Sequence, residues 1–243
     1  MGRAALVTGG SRGIGRAIAL RLAADGYALT LGARDPEALE RTAGELGAYG
    51  VPTLAVPGDL AVEDDVRGLA RAHAERFGRL DVLVLSAGVG TAGAVGEYPM
   101  RRFDKQVAVN LRSPFLLVQE CLPLLRDAAK SEPDRGAKIL ALSSITGVVS
   151  EAGLAAYGAT KAALISLCQS LSVEESASGV SATAISPGYV DTDMSAWMHD
   201  RLEPQQMIPA DDVAELVIGL TRLSARSVVP HVVITRAGDL WRA

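Results

Sequence analysis

A tyrosine and a lysine lie four residues apart, at Tyr157 and Lys161, in a segment with a helical pattern. Side chains at this spacing share one face of an α-helix, so the ammonium group can lie near the phenol. A tyrosine has an ordinary pKa of about 10, and a nearby cation favours its ionised form. The pair predicts a tyrosine that acts as an acid and base, although most such pairs on a helix are surface residues.

Ser144 precedes Tyr157 by thirteen residues and lies where a predicted strand ends. Ligands bind open parallel sheets along the carboxyl ends of the strands, so Ser144 is placed near a substrate. Its hydroxyl can donate a hydrogen bond to a substrate oxygen. Ser143 is the alternative donor, because it is the neighbouring residue in the chain.

A glycine turn at residues 8–15 joins the first predicted strand to a helical segment. Gly9 allows a tight turn, Gly13 lets the backbone approach a ligand, and Gly15 permits close packing of helix on strand. Free N–H groups at the helix start attract a pyrophosphate. The spacing is G-x-x-x-G-x-G, which differs from the commoner G-x-G-x-x-G fingerprint.

The elements that position these residues alternate between short β-rich runs and longer amphipathic stretches, which is typical of βαβ units. The pattern predicts one α/β domain over residues 1–243, a Rossmann-type doubly wound parallel sheet of about seven strands with helices on both faces. Residues 129–136 are predicted as a surface loop. The strands are expected near residues 4–8, 28–33, 52–57, 80–86, 137–143, 180–185 and 228–235.

Composition excludes several classes of protein. The chain is 49% hydrophobic with a net charge of −4, so no nucleic-acid surface is indicated, and it lacks the apolar run that a membrane span needs. A cytoplasmic location is the prediction that follows. Cys121 and Cys168 lack zinc-site spacing and are predicted to be reduced core residues. His73, His199 and His231 are scattered and predicted to be structural or exposed, so no metal site is expected.

The glycine turn, Ser144, Tyr157 and Lys161 together resemble the short-chain dehydrogenase/reductase family, in particular its compact members. The resemblance covers residues 4–192 and the rest more loosely. Ser86 departs from the family pattern because it replaces an asparagine, and residues 235–240 lack the Asp-Gly-Gly often seen there. Further matches occur in the family's order at Asp59-Leu60, Ala87-Gly88, Asn110 and residues 187–192.

The resemblance implies an oxidoreductase that transfers a hydride between nicotinamide and a carbonyl or hydroxyl carbon. It makes Asn110, Ser144, Tyr157 and Lys161 the catalytic residues, with Asn110 holding a water in a proton relay that ends at Lys161. Asp59 would contact the adenine, and Val190 with Thr192 would bind the carboxamide. The cofactor-binding residues are predicted to be Gly9, Ser11, Arg12, Gly13, Ile14, Gly15, Arg34, Asp59, Leu60, Ala87, Gly88, Tyr157, Lys161, Pro187, Gly188, Val190 and Thr192.

The end of the second predicted strand indicates a preference for NADP(H) over NAD(H). NAD-specific sites usually carry an acid there that binds the ribose 2′-hydroxyl, whereas this chain has Ala33 followed by Arg34. Arg12 supplies a second cation where similar enzymes direct one at the 2′-phosphate. The alternative is that Asp35 binds the ribose one position later and Arg34 is merely solvated.

Residues 193–208 form the segment that in this family folds over the substrate, and here it is short. Met194, Trp197 and Met198 would either form an apolar lid with Ser144 and Tyr157 beneath it or pack that helix onto the body. A short lid suggests a small-molecule or carrier-linked carbonyl substrate. Reduction of 3-oxoacyl groups, oxidation of polyols or steroids, and general carbonyl reduction all stay open.

Two alternatives to this enzyme are considered. A catalytically silent NADP-binding regulator of the same fold is disfavoured by the intact catalytic residues. A nucleotide-sugar epimerase or dehydratase generally carries G-x-x-G-x-x-G and an added substrate domain, and this chain has neither.

Compact members of the family commonly assemble, so a homo-oligomer is predicted, a tetramer or a dimer. Pairing would use the two long helices expected at residues 99–128 and 155–177. Five residues of the second helix together provide more apolar surface than one buried helix face requires, although a buried helix of a monomer would look similar. They are Leu164, Ile165, Leu167, Cys168 and Leu171.

Overall fold

A computed structural model describes residues 2–238 of the chain, which fold around one seven-stranded parallel sheet. The strand order is β3-β2-β1-β4-β5-β6-β7, and it reverses between β1 and β4, which are direct neighbours. The prediction of a doubly wound sheet of seven strands is confirmed. The strands are β1 Ala4–Thr8, β2 Ala28–Ala33, β3 Thr53–Pro57, β4 Val82–Leu85, β5 Ala137–Leu142, β6 Val180–Pro187 and β7 His231–Ile234.

Helices cover both faces of the sheet, and each face has its own apolar core. Side chains alternate along a strand, so in β1 Leu6 joins the core of α3, α5 and α6, while Val7 joins that of α1, α2 and α7. The helices are α1 Gly13–Ala24, α2 Pro36–Leu46, α3 Glu63–Phe77, α4 Met100–Val107, α5 Ser113–Ser131, α6 Ala155–Glu175 and α7 Ala210–Thr221.

Two sequence predictions need correction at α5 and α6. The surface loop predicted for residues 129–136 begins later, because α5 continues to Ser131 and Ala129 is buried in the core. The apolar residues of α6 are likewise accounted for inside the monomer, where Leu164 and Leu171 belong to the same core and Leu167 packs against it. They are not surplus apolar surface for a second subunit.

Both cysteines are buried in that core and neither forms a disulfide. Burial raises the pKa of the Cys121 and Cys168 thiols to about 12, which keeps them protonated. This placement agrees with the predicted role of reduced core residues.

His73 is fully buried and joins α3 to β2. Its Nδ1 lies 2.8 Å from Thr30 Oγ1 and its Nε2 lies 3.0 Å from the carbonyl oxygen of Arg79. His199 is exposed, and the Nε2 of His231 lies 2.8 Å from Ser186 Oγ. The histidines are therefore exposed or structural, as the sequence predicts.

His73 is expected to make the protein less stable as the pH falls. Burial lowers the pKa of His73 from 6.5, so below that pH the unfolded chain binds a proton that the folded protein resists. The free energy of unfolding should therefore decrease by up to about 1.4 kcal/mol per pH unit across this window. Urea unfolding at several pH values should show a smaller decrease for His73→Gln, and parallel curves for the two proteins would contradict this account.

Two features are absent from residues 2–238. No helix in that range combines the length and the apolar character that crossing a membrane requires. The same range contains no group of three or more histidine, cysteine, aspartate or glutamate residues arranged to hold a metal ion. Asp239 and Leu240, which belong to the C-terminal segment that departs from the family pattern, lie outside the described residues.

Candidate active site

A cleft of about 890 Å³ lies at the carboxyl edge of the sheet, where the loops after β1 to β6 meet. The strand order reverses at this edge, between β1 and β4, and open α/β sheets bind ligands at such a point. Every residue that the sequence predicts to bind the cofactor lines this cleft. The cleft also has the size of a typical cofactor or ligand pocket.

The glycine turn forms a cradle that fits a pyrophosphate. Gly9 and Gly13 have φ angles of 67° and 52°, in the left-handed region that favours glycine. A Cβ at Gly15 would overlap the carbonyl oxygen of Gly9, so the turn also requires a glycine there. Because α1 begins at Gly13, its free N–H groups and positive end point at the turn.

Thr8 ties the end of β1 to the end of β4. Its Oγ1 accepts hydrogen bonds from the backbone N–H groups of Ser86 (3.0 Å) and Ala87 (3.1 Å), and it donates to the carbonyl oxygen of Val84 (3.3 Å). The loop that carries the unusual Ser86 is therefore held by backbone contacts. The loss of the family's asparagine side chain does not leave this loop unsupported.

Tyr157 and Lys161 lie one turn apart on α6, with Lys161 Nζ 5.6 Å from the centre of the Tyr157 ring. Lys161 is buried, and its Nζ donates a hydrogen bond of 2.6 Å to the carbonyl oxygen of Leu142. Burial lowers the pKa of Lys161 to about 8. The predicted shared face is therefore present.

Burial has the largest effect on the pKa of Tyr157, and the effect of the nearby lysine on that pKa stays a prediction. Burial raises the pKa of Tyr157 to about 12, and a hydrogen bond with Ser144 acts in the opposite direction without overcoming it. The phenol is consequently neutral at pH 7. A neutral phenol is the form that a proton donor requires.

The two adjacent serines have different partners. Ser144 Oγ accepts hydrogen bonds from the backbone N–H of Thr146 (3.2 Å) and from Thr146 Oγ1 (2.9 Å), so its own proton is available to the cleft. Ser143 Oγ instead donates to the carbonyl oxygen of Lys161, 2.8 Å away. The geometry thus favours Ser144 over Ser143 as the donor to a substrate.

Asn110 is fully buried in a short π-helical segment, Ala108–Arg112, that joins α4 to α5. Its Oδ1 accepts from the backbone N–H of Val89 (2.9 Å), and its Nδ2 donates to the carbonyl oxygen of Val89 (2.8 Å) and to Thr160 Oγ1 (3.1 Å). Its side chain does not line the cleft and instead clamps the loop after β4. Single π-helical turns are frequent at functional sites. The proton relay through a water held by Asn110 stays a prediction.

The basic residues near the end of β2 differ in their contacts. Arg34 is exposed and lines the cleft. Asp35 caps α2, because its Oδ1 accepts a hydrogen bond of 3.1 Å from the backbone N–H of Ala38. Arg12 forms an exposed ion pair with Asp193, at 3.3 Å. If Asp35 bound a ribose, as in the alternative interpretation, its carboxylate would have to do so while also capping α2.

Two of the three apolar residues predicted to form a lid line the cleft, and the third does not. Met194 and Trp197 line the cleft and are 51% and 55% exposed. Met198 does not line the cleft and is half-buried. The segment Asp193–Met198 is a 3₁₀-helix with three residues per turn, so residues three apart share a face and Met198 falls outside it.

A family model described as short chain dehydrogenase matches residues 3–202. The chain belongs to the short-chain dehydrogenase family. The resemblance predicted from the sequence is therefore confirmed.

Relatives of this short-chain dehydrogenase include two reductases. The 3-oxoacyl-(acyl-carrier-protein) reductase FabG of Staphylococcus aureus is 35% identical over 209 residues, covering 85% of this chain and 82% of that protein. The rhamnolipids biosynthesis 3-oxoacyl-(acyl-carrier-protein) reductase of Pseudomonas aeruginosa is 39% identical over 207 residues, covering 85% of this chain and 79% of that protein. A short chain dehydrogenase from Burkholderia cenocepacia J2315 in complex with NADP is 34% identical with a TM-score of 0.85, covering 97% and 96% of the two chains.

Three site residues of this short-chain dehydrogenase carry no motif that singles them out in the sequence. Thr8 and Thr146 act through hydrogen bonds to residues of the site. Glu151, which also lines the cleft, accepts a hydrogen bond of 2.9 Å from the hydroxyl of Tyr189. The position of Thr8 at a strand end, just before the glycine turn, is the one local signal that could have drawn attention to it.

Proposed function

We propose that this protein is an NADP(H)-dependent oxidoreductase that transfers a hydride between nicotinamide and a carbonyl or hydroxyl carbon. The observation that carries the proposal is that Ser144, Tyr157 and Lys161 line one cleft together with the glycine turn. The bound nicotinamide would supply the hydride chemistry itself. A silent regulator would have no need for this arrangement of donors.

In the direction of carbonyl reduction, each residue of the site has a separate role. Ser144 donates a hydrogen bond to the substrate oxygen, because its own lone pairs accept from Thr146. Tyr157 transfers its proton to that oxygen, and the Lys161 ammonium favours the tyrosinate that forms. Lys161 would also bind the ribose hydroxyls of the cofactor, and Asn110 keeps the loop after β4 in place through its hydrogen bonds to Val89.

The remaining cofactor contacts follow the cleft. The glycine turn would hold the pyrophosphate at the start of α1. Asp59 would contact the adenine, while Val190 and Thr192 would bind the carboxamide. Thr192 also caps the 3₁₀-helix of the lid together with Ser195, so this contact would link cofactor and lid.

The proposed preference for NADP(H) rests on Arg34, which follows β2, and on Arg12 in the glycine turn, and both line the cleft. Ala33 occupies the position at which an acid would repel a 2′-phosphate, so no such repulsion arises there. The next acid, Asp35, is engaged as the cap of α2. The Burkholderia cenocepacia relative, which binds NADP, supports the same choice.

Arg34→Ala is expected to lower the ratio of kcat/KM for NADPH to kcat/KM for NADH by about tenfold or more. One charged hydrogen bond to the 2′-phosphate contributes roughly 1.5 to 3 kcal/mol, and solvent exposure keeps the effect at the lower end. Steady-state kinetics with both cofactors measure the ratio, and exposed Arg41, which does not line the cleft, is the matched control as Arg41→Ala. An unchanged ratio in Arg34→Ala would place cofactor selection elsewhere.

The proposed substrate is a carbonyl compound, with 3-oxoacyl thioesters as the first candidates because two relatives are 3-oxoacyl-(acyl-carrier-protein) reductases. The test is a panel of ketones, aldehydes, 3-oxoacyl thioesters and alcohols, followed by the absorbance of the nicotinamide. Turnover of a carbonyl substrate is the expected result. A protein that binds NADPH but is inert across the panel would be the regulator. The cytoplasmic location stays a prediction.

We also propose that the protein is a homo-oligomer, a tetramer or a dimer, that pairs through α4, α5 and α6. Large apolar side chains are exposed on these helices: Met100 is 65%, Phe115 56% and Val173 84% exposed. Contiguous apolar patches mark protein interfaces, and these three side chains lie on the helices that the sequence predicts to pair. Light scattering should give a multiple of 25.3 kDa, and a single species at that mass would contradict assembly.

A further inference from the structure

One oxygen atom of a carboxylate in the cleft has no partner. Glu151 lies between β5 and α6, and its Oε1 accepts the hydrogen bond from the hydroxyl of Tyr189. Its Oε2 is buried and accepts no hydrogen bond within the described part of the chain. Buried acceptors are rarely left unpaired, because desolvation without a partner costs free energy.

The surroundings hold this carboxylate in place. Burial and the hydrogen bond to Glu151 raise the pKa of Tyr189, so its phenol stays protonated and keeps donating to Oε1. On its other side, the Tyr189 ring packs edge-on against Trp197, with centroids 6.0 Å apart. The loop after Glu151 is fixed as well, because the carbonyl oxygen of Gly153 accepts a hydrogen bond of 2.8 Å from the backbone N–H of Gly93.

The carboxylate lines the same cleft as the residues proposed to react. Glu151, Tyr189 and Trp197 line it together with Ser144 and Tyr157. The proposed mechanism uses neither Glu151 nor Tyr189. A carboxylate oxygen accepts hydrogen bonds and attracts cations. It therefore favours a ligand that places a hydrogen-bond donor in this part of the cleft.

We propose that Glu151 determines substrate specificity, through Oε2, by accepting a hydrogen bond from a donor that the substrate carries beside its reacting carbonyl. The donor is a hydroxyl, an amide N–H or an ammonium group, and a substrate with a carboxylate in its place is disfavoured. This inference rests on the proposed function, because it concerns the substrate of the same site. It adds a polar contact to a substrate region that the lid residues alone would make apolar.

The test compares three hydroxyketones, whose hydroxyl lies one, two or three carbons from the carbonyl, with ketones that carry a methyl group in its place. At the spacing that reaches Glu151, the hydroxyketone should have about tenfold higher kcat/KM than its partner. Glu151→Gln keeps an acceptor for the Tyr189 hydroxyl but replaces the charged acceptor at Oε2 by an amide N–H, to which a hydroxyl can no longer donate. The ratio of kcat/KM for the hydroxyketone to kcat/KM for its methyl partner should therefore fall severalfold. Glu75→Gln, an exposed position on α3 away from the cleft, is the control.

Binding separates this inference from the proposed function. Dissociation constants of the same compounds, measured by the protein's tryptophan fluorescence, to which Trp197 beside Tyr189 contributes, should show the same preference even if no compound is turned over. Equal affinity for all pairs, or a preference that Glu151→Gln leaves intact, would overturn the role of Glu151. Inertness of wild type toward the whole panel of ketones, aldehydes, 3-oxoacyl thioesters and alcohols would instead overturn the proposed function.

A second pair of probes identifies the source of the donor. Two thioesters with the same 3-oxoacyl chain are compared, one of N-acetylcysteamine, which offers an amide N–H, and one of an alkyl thiol of similar length. A preference for the first thioester that Glu151→Gln removes places the donor on the carrier arm. A preference seen only among the hydroxyketones places the donor on the acyl side, and the absence of both contradicts the inference.

Discussion

Tyr157→Phe is expected to lower kcat by about a thousandfold while the dissociation constant for NADPH changes little. The variant removes the hydroxyl that would protonate the substrate oxygen, and a positioned general acid contributes about 10² to 10⁴ in rate. The ring is retained beside Gly90, where a Cβ would lie only 3.2 Å from Tyr157 Cδ2, so packing is preserved. Steady-state kinetics and a fluorescence titration with NADPH measure the two quantities.

The control for this variant is Tyr49→Phe, which removes a phenol hydroxyl from an exposed site away from the cleft. It should behave as wild type in both measurements. Comparable turnover in Tyr157→Phe and wild type would show that the substrate oxygen takes its proton from another group, and would remove Tyr157 from the mechanism.

Lys161→Ala is expected to damage both binding and rate, since the lysine is assigned two roles. We expect the dissociation constant for NADPH to rise at least about tenfold, because a charged hydrogen bond to the ribose is lost. The value of kcat should also fall, by about a hundredfold, because the tyrosinate loses its neighbouring cation. Lys161→Met, which keeps more of the side-chain volume, and circular dichroism of both variants show whether the fold is intact.

The pH dependence of binding distinguishes the charge of Lys161 from its packing. Burial lowers the pKa of Lys161 to about 8, so the ammonium is present below that pH and is lost above it. Affinity for NADPH should therefore weaken as the pH rises through about 8 in wild type and stay flat in Lys161→Met. Lys130→Ala, at an exposed position on α5, should retain the wild-type profile. A loss of rate alone in Lys161→Ala would contradict the ribose contact.

The sheet could be predicted because each strand is encoded by a short local run. Glycines at fixed spacing encode the turn after β1 in the same way, and four-residue spacing places Tyr157 and Lys161 on one face of α6. These patterns depend on neighbours in the chain. Local signals of this kind sufficed for the strands and for the shared helix face of Tyr157 and Lys161.

Burial and long-range hydrogen bonds could not be predicted in this way. The pKa of Tyr157 rises because distant segments exclude water from it, which no local spacing reports. Thr8 contacts the end of β4, 78 residues later in the chain, and Tyr189 reaches Glu151 across 38 residues. The position of Met198 outside the cleft has a local cause. The segment is a 3₁₀-helix, which repeats every three residues, and not the expected α-helix, which repeats every 3.6.

The most direct test of the central claim follows a deuterium atom. NADPH labelled with deuterium on the transferring face of the nicotinamide C4 is incubated with the protein and a 3-oxoacyl thioester, and the product is examined by mass spectrometry. The predicted result is one deuterium on the carbon that bears the new hydroxyl, formed faster than with labelled NADH and nearly absent with Tyr157→Phe. Bound NADPH that leaves every carbonyl compound of the panel unlabelled would contradict the assignment as an oxidoreductase.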